Sequence, residues 1–394
     1  MHVAAPLHGW EWWRSIGSPR HVCAPMVDQS ECAFRTLCRD LGTDLCYTPM
    51  IHARLFTEVE AYREQHFDPA PTDTPLIAQL AGHDPRIVLA AARAVEDRVD
   101  AVDLNFGCPQ GIARKGRYGA FLLDEPETML ALVRTLSAEL TVPVTAKLRL
   151  LPDGAHGHHG RSPNVAASVE LCCRLEEAGA SALAVHGRTR AQNKQLCGSA
   201  DWSAIAAVVR AVGVPVIANR GVGSRADVDA CFEATGAAAV MSSEALLENP
   251  ALFIANVEPA SGAYLDQDEL ARRYLDACSA HPPCKGAPMA RGHLFKLLHN
   301  GLREHTALRD ELLLAKSLHD MRRVVDKLVS AEHALAAGRD RSPPRLKTRA
   351  RTDTRSCTQT RPRVRLLLGN ASAPSLRPSH PTHPSRAATR GRRP

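Results

Sequence analysis

Aromatic residues are scarce, making up 4% of 394 positions, and no apolar run approaches the roughly 18 residues that read as a transmembrane helix. No membrane association is therefore expected. The N-terminal stretch MHVAAPLHGWEWWRSIGSPR lacks the charged-then-apolar layout of a secretory signal. Its arginines sit near acidic and aromatic residues, unlike a transit peptide. None of the 12 cysteines forms a C-x-x-C pair, which disfavours a zinc site built on paired thiols. Scattered and without a signal, they read as reduced, mostly buried thiols of a cytoplasmic or nuclear protein. The Gly-rich turn that follows the first strand of a dinucleotide-binding open sheet is also missing. Acidic residues are sparse in one region only. From Gly338 to Pro394 there are 2 Asp and Glu against 15 Lys and Arg; because the whole chain carries +7, residues 1–337 carry a net −6.

What is present is a series of short apolar runs. They are HVCAPM (21–26), LCYTPM (45–50), PLIAQLA (75–81), AVDLNFG (101–107), PVTAKLRL (143–150), ALAVHGRT (182–189), PVIANRGV (215–222) and AAVMSSE (238–244). Near-continuous apolar strands are expected where a parallel sheet is covered on both faces. Helix-period segments alternate with them, such as residues 84–97, 126–140, 164–179 and 203–213. Eight such alternations predict an α/β fold, a (β/α)8 TIM barrel. The strand ends carry Pro25 and Met26, Gln79, Asn105, Lys147, His186, Asn219, and Ser243 with Glu244. One polar strand end is ordinary contact with solvent. A ring of them, with Lys, His and Asn among its members, predicts an active-site rim.

After Pro259 the strands stop, and residues 265–280, 290–306 and 310–338 have helical periodicity. The domains are therefore expected to be a catalytic barrel over 1–259, a helical domain over 260–337 and an Arg/Pro/Ser-rich tail over 338–394. The tail's composition predicts disorder. The loop LPDGAHGHHGRSPN (151–164) holds His156, His158 and His159, but no neighbouring carboxylate or thiol completes a ligand set, so no metal is expected.

The segment DLNFGCPQGIARKGRYGAFLLDEPE (103–127) runs from the fourth strand into a basic, Gly-rich loop. Cys108 lies at that strand end, before a proline. A thiol of ordinary pKa, about 8.5, is mostly protonated at neutral pH and can donate a proton.

These residues, together with APMVDQSECAFRTLCRDLGTDLCYTPMIHA (24–53), AKLRL (146–150), VHGRTRAQNK (185–194) and MSSEALLENPALF (241–253), resemble the tRNA-dihydrouridine synthases. The resemblance covers about residues 10–330 and is nearest to the eukaryotic group acting at D-loop positions sixteen and seventeen. It implies FMN at the barrel mouth, NADPH as reductant, and hydride passing from the flavin to C6 of a uracil extruded from tRNA, with Cys108 protonating C5. It also implies Lys147 and His186 as flavin contacts, where a cation stabilises an anionic reduced ring. Pro25, Met26 and Val27 match the turn against which the ring packs, and the amide of Gln79 suits its pyrimidine-like edge. Asn105 and Arg149 are candidate contacts to the uracil.

Departures occur at the phosphate turns. Where the family reads Ala-Asn-Gly-Asn, this chain has Ala218, Asn219, Arg220 and Gly221, and Ala245 replaces another glycine near Ser243 and Glu244. Arg220 either offers its guanidinium to the FMN phosphate or reshapes the turn. Because residues 1–337 are net acidic, RNA binding must use local patches. Arg114, Lys115 and Arg117 flank the catalytic loop, and Arg291 and Lys296 match the family's helical tRNA-binding domain. Arg322, Arg323 and Lys327 extend a basic face there; each could equally be an ordinary solvated residue. A monomer is expected. Two rival functions remain open: a flavin barrel reducing a free pyrimidine, and a non-catalytic RNA-binding protein with a decayed flavin site.

Overall fold

The computed structural model describes residues 6–338, apart from residue 68 and segments 155–159, 194–195 and 255–265. Eight parallel strands close into a barrel. They are β1 (His21–Cys23), β2 (Leu45–Tyr47), β3 (Leu76–Ala81), β4 (Ala101–Phe106), β5 (Val144–Leu150), β6 (Ala180–Thr189), β7 (Val216–Asn219) and β8 (Ala239–Ser242). Each pairs with its neighbour in sequence, and β8 returns to β1 to close the ring. A further two-residue strand, Ile51–His52, extends the edge of β3. Every residue of β3 is buried because one face lines the barrel and the other meets helices, which is why the sequence shows runs rather than alternation.

The crossover helices begin at the C-terminal ends of the strands, and side chains fix several of those starts. Asp84, Asn164, Asp201 and Ser224 each accept a backbone N–H of the following helix, a cap typically contributing about 1 kcal/mol. At the opposite end the helix Gly9–Ser15 seals the barrel. Trp12 and Trp13 are buried against Ala101, Ala182 and Ala239, and Trp12 Nε1 donates to the Asp100 carbonyl at 3.2 Å. Small interior alanines leave room for these indoles.

Beyond the barrel come helices Gln267–Ala280, Ala287–Leu297, His299–Glu304, Thr306–Leu314 and Leu318–Gly338. The periodicity of 290–306 and 310–338 predicts longer, uninterrupted pieces; the structure breaks them near Leu298, His305 and Ala315. The last break has a local cause. Ser317 Oγ accepts the Asp320 N–H at 3.1 Å and Asp320 Oδ2 accepts the Ser317 N–H at 3.2 Å, a reciprocal cap that starts a new helix. The barrel and these helices pack as one compact unit. The expected boundary at 259/260 and the tail beyond Gly338 lie outside the described residues.

Candidate active site

The strand register gathers the rim. Gln79 sits beside Asp103, and Asp103 beside Thr145. One step further along, Asn105 faces Lys147, Arg149 faces His186, and His186 faces Asn219. Two layers result, a deep one of Gln79, Asp103 and Thr145, and a rim of Asn105, Lys147, His186 and Asn219.

Asp103 is fully buried and accepts hydrogen bonds from Gln79 Nε2 at 2.8 Å and Thr145 Oγ1 at 2.7 Å. Burial pushes its pKa up to about 6, against the opposing pull of these bonds and of the Lys147 charge. Gln79 Oε1 in turn accepts from Asn105 Nδ2 at 2.7 Å. Asn105 Oδ1 accepts both the Gly107 and Cys108 backbone N–H groups at 3.0 Å. The barrel interior thus reaches the backbone of Cys108 through an unbroken line of hydrogen bonds. Gln79 keeps one N–H and one lone pair free for a ligand, and Asn105 one N–H.

Cys108 is half-buried in an apolar cluster with Met50, Ala81, Ala113, Tyr118 and Phe121. Burial raises its pKa above the ordinary thiol value, outweighing the Gln110 backbone and the Arg149 and Lys147 charges. The thiol is therefore a protonated acid at neutral pH. Its carbonyl accepts the Ala120 N–H at 2.9 Å, and a Cβ on Gly119 would lie 2.6 Å from that oxygen, so glycine is required there. Arg149 holds the same loop: Nε donates to the Gly107 carbonyl at 2.8 Å, and Nη1 to those of Thr189 and Gln192 at 3.0 and 3.3 Å.

Beside this acid lies an excess of positive charge. Lys147 Nζ donates to Asn219 Oδ1 at 2.8 Å, and Asn219 Nδ2 to the Met241 carbonyl at 3.0 Å. Burial, then repulsion from Arg149, lowers the Lys147 pKa to about 7 despite the attraction of Asp103. Burial and Arg220 lower that of Arg149 to about 10. Burial, followed by Arg149, Lys147, Arg220 and Arg188, drives His186 well below the ordinary imidazole value, so the ring is neutral. Among the described residues its Nε2 is buried without a partner, as is Ser243 Oγ. A buried polar atom left without a partner costs roughly 1–3 kcal/mol, and such atoms at a rim point to a ligand.

The turn after β7 is strained. Arg220 has φ +86° and Gly221 φ +89°, a region in which a non-glycine residue costs on the order of 1–3 kcal/mol. This explains why glycine suits position 220. The Arg220 carbonyl accepts Trp202 Nε1 at 3.1 Å, and its guanidinium pairs with Glu244 at 3.1 Å. Burial would raise the Glu244 pKa, but Arg220, with help from Lys296 and Arg188, holds it below the usual carboxylate range. Through Lys296 the appended helices bring charge to this end of the rim. Ala245 lies in a regular helical turn without strain. Across the mouth, Pro25 and Met26 are half-buried and Val27 is 54% exposed.

The basic residues divide. Arg114 and Lys115 are exposed on the helix Gly111–Lys115, while Arg117 pairs with Glu125 at 2.9 Å. Arg291 donates to the Ala315 carbonyl at 2.6 Å and so braces the helices. Arg322, Arg323 and Lys327 pair with Asp276, Asp320 and Glu311. The basic face expected on the last helix is thus largely neutralised by partners from other turns and helices. Among the described residues no His, Cys, Asp and Glu group is arranged to hold a metal; His156, His158 and His159 lie outside them.

Sequence reasoning missed Asp103, Thr145 and Trp202. Asp103 was detectable, because period-two alternation places it on the same strand face as Asn105.

Residues 22–336 match the family described as Dihydrouridine synthase (Dus). The chain is 43% identical over 327 residues to a tRNA-dihydrouridine(16/17) synthase (NAD(P)(+))-like protein of Rattus norvegicus, covering 82% of this chain and 70% of that protein. It is 39% identical over 313 residues to the tRNA-dihydrouridine(16/17) synthase of Schizosaccharomyces pombe, covering 78% of this chain and 76% of that one. For the Saccharomyces cerevisiae enzyme the identity is 40% over 313 residues, with 78% and 71% covered. The match spans the barrel strands, the rim and the appended helices together: this chain belongs to the dihydrouridine synthase family.

Proposed function

We propose that this protein reduces the C5–C6 double bond of a uridine in the D-loop of tRNA, at position 16 or 17, using FMN and NAD(P)H. The observation that carries the reading is the pairing, at one barrel mouth, of a protonated thiol with a cation-rich rim that holds unpartnered polar atoms. Family membership and the relatives' names support the reaction class and the nicotinamide reductant.

The residues present fit a flavin. His186 Nε2 and Ser243 Oγ lack partners, Val27 is an exposed apolar surface for a ring, and the surplus of cations favours an anionic ligand. Lys147 and His186 would hold the ring edge, Pro25, Met26 and Val27 its face, and Asn219, Arg220, Gly221, Ser243 and Glu244 the phosphate end. When bound, the flavin supplies the two-electron chemistry that side chains lack.

The protein's own part is positional and acidic. Asn105 fixes the Cys108 backbone, burial keeps the thiol protonated, and Cys108 delivers that proton to uracil C5. The remaining N–H groups of Gln79 and Asn105 orient the polar groups laid against them. Arg114, Lys115, Arg117 and the helical Arg291 and Lys296 region would meet tRNA.

The test is the visible spectrum of the purified protein, followed by anaerobic NADPH and then unmodified tRNA. A flavin band that bleaches, and returns on adding tRNA with dihydrouridine formed, is the expected result. A protein that stays colourless with FMN supplied but shifts tRNA in a gel overturns the enzymatic reading. Equal turnover of free uridine would redirect the substrate assignment.

A further inference from the structure

Beside the catalytic loop lies a cavity of about 170 Å³, lined among others by His52, Arg54, His83, Asp84, Lys115 and Arg117. Its walls come from three separate parts of the chain: residues 52–54, the turn and helix start after β3 (82–88), and residues 115–117 at the end of the helix Gly111–Lys115. It is separate from the Lys147–His186 rim.

Charge in the lining is strongly one-sided. Arg54, Lys115 and Arg117 are cations, and Asp84 is the sole carboxylate among the lining residues. That carboxylate is committed, since its Oδ1 accepts the Arg86 and Ile87 N–H groups at 2.9 and 3.4 Å. Arg54 and Arg117 do have acidic partners, Glu58 at 4.0 Å and Glu125 at 2.9 Å, but all four side chains are exposed. Exposed pairs hold little energy and yield readily to a better anion. His52 adds a donor: its Nδ1 accepts the Leu55 N–H at 3.4 Å, which leaves the proton of the neutral ring on Nε2.

The position of the cavity narrows what its anion is. The His52 ring meets Tyr118 edge-on, with centroids 5.4 Å apart. Tyr118 packs in the same apolar cluster as Cys108. Gly116 also lines the cavity, and a Cβ there would lie 2.6 Å from the Tyr118 ring. One aromatic ring therefore touches both the thiol's surroundings and the cavity wall. Nearby, Leu55 and Ile112 are exposed, at 41% and 66%, so a partner with both anionic and apolar parts is favoured.

We propose that this cavity is an anchor for the RNA backbone, taking the phosphodiester next to the uridine presented to Cys108. The inference rests on the function proposed above and assigns it Arg54 and His83, which lie outside the family motifs, beside His52 at the end of one of them. A base extruded towards Cys108 is held by its own sugar-phosphate chain, and an anchored neighbouring phosphate fixes where that base arrives. It also offsets part of the unstacking cost of extrusion, a few kcal/mol.

Affinity for unmodified tRNA would be measured from about 50 to 300 mM NaCl for the FMN-loaded parent, Arg54→Ala, Arg54→Lys and His83→Gln. Losing one phosphate contact lowers the slope of log K against log salt by roughly 0.7–0.9. Arg54→Ala is expected to show that decrease with roughly tenfold weaker binding at low salt, and Arg54→Lys to recover most of it. His83→Gln should weaken binding by a smaller factor, and NADPH should bleach all four proteins at the same rate. An unchanged slope and affinity in Arg54→Ala overturns the proposal. So does a defect confined to the NADPH concentration dependence of bleaching, which would assign the cavity to the reductant's phosphates. If the parent itself neither binds nor modifies tRNA, the underlying function fails instead, and the two failures are told apart by the parent alone.

Discussion

Two regions of the molecule treat buried charge in opposite ways. Around the helix Cys32–Asp40, which packs on the helix Gln267–Ala280, buried charges are paired with opposite ones. Arg35 Nε and Nη2 hold Asp73 Oδ2 at 2.9 and 2.5 Å, Arg39 Nη2 takes Asp73 Oδ1 at 3.1 Å, and Arg35 and Asp73 are both nearly inaccessible. Glu31 accepts Tyr274 Oη at 2.8 Å and lies 3.0 Å from His293 Nε2, while the His293 ring stacks on Phe34. At the catalytic rim, Lys147, Arg149, Arg188 and Arg220 lie close enough to disturb His186 together, and buried Nε2 and Oγ atoms stand alone. His293 Nδ1 is buried without a partner among the described residues as well, so what sets the rim apart is its unbalanced charge rather than its unpaired atoms. Unbalanced charge that would be a flaw in a core is what the proposed anionic ligand would balance.

Perturbations should separate the two regions cleanly. The largest effect is expected from Cys108→Ala, which should lower dihydrouridine formation by about 10²–10⁴-fold, as loss of a general acid does. The melting temperature and tRNA affinity should stay near the parent's. Because the thiol's pKa is raised, the parent's rate should hold through neutral pH and fall only where the thiol ionises, above its ordinary value.

Asp73→Ala or Glu31→Ala should do the reverse, leaving the rim intact while costing about 3–5 kcal/mol in urea unfolding. Glu31 also predicts a pH dependence. Burial would raise its pKa, but the His293 charge and the hydrogen bonds of His293 and Tyr274 lower it overall. Its contribution is thus fully present above the unfolded value of about 4.3 and is lost as pH falls through the lower folded value. The gap in urea midpoint between parent and Glu31→Gln should close between about pH 4 and the onset of acid unfolding.

Lys147→Met probes the rim from the stability side. A lysine lowered from 10.5 to about 7 opposes folding, and the penalty grows as pH drops from 10.5 to 7. The variant should be more stable than the parent near pH 7 and converge with it towards pH 10, while losing most of its flavin affinity. Asn105→Ala should be milder. It frees the Gly107 and Cys108 N–H groups, about 1–3 kcal/mol of positioning, and should lower the turnover rate about tenfold with flavin affinity retained. Smallest of all, Arg322→Ala should shift stability by less than about 0.5 kcal/mol and tRNA affinity hardly at all, because its charge is already matched by Asp276. A large loss of affinity there would mean the pair opens to RNA.

The eight strands were legible because a sheet covered on both faces writes itself as apolar runs, and Asn105, Lys147, His186 and Asn219 were legible as their polar ends. What each end is bonded to was not. Arg149 reads as a base contact from its motif, yet three carbonyls from two loops claim it. Gln79 reads as a ligand contact, but its bonds to Asp103 and Asn105, which fix how its amide is turned, do not show in the sequence. Arg322, Arg323 and Lys327 read as one basic face because two of their acidic partners, Asp276 and Glu311, come from other helices. Periodicity reports which face a residue is on; it carries nothing about the partner that folding brings to that face.

The tryptophan plug has a consequence for turnover order. With Trp12 and Trp13 filling the N-terminal end, the described residues leave the barrel one mouth, and both substrates of the proposed flavin reaction would have to arrive through it. A nicotinamide and an extruded uracil are both flat rings that would seek the same face, so they would queue rather than sit side by side. The kinetic pattern to expect is double displacement: parallel lines in reciprocal plots, with high concentrations of either substrate inhibiting the half-reaction of the other.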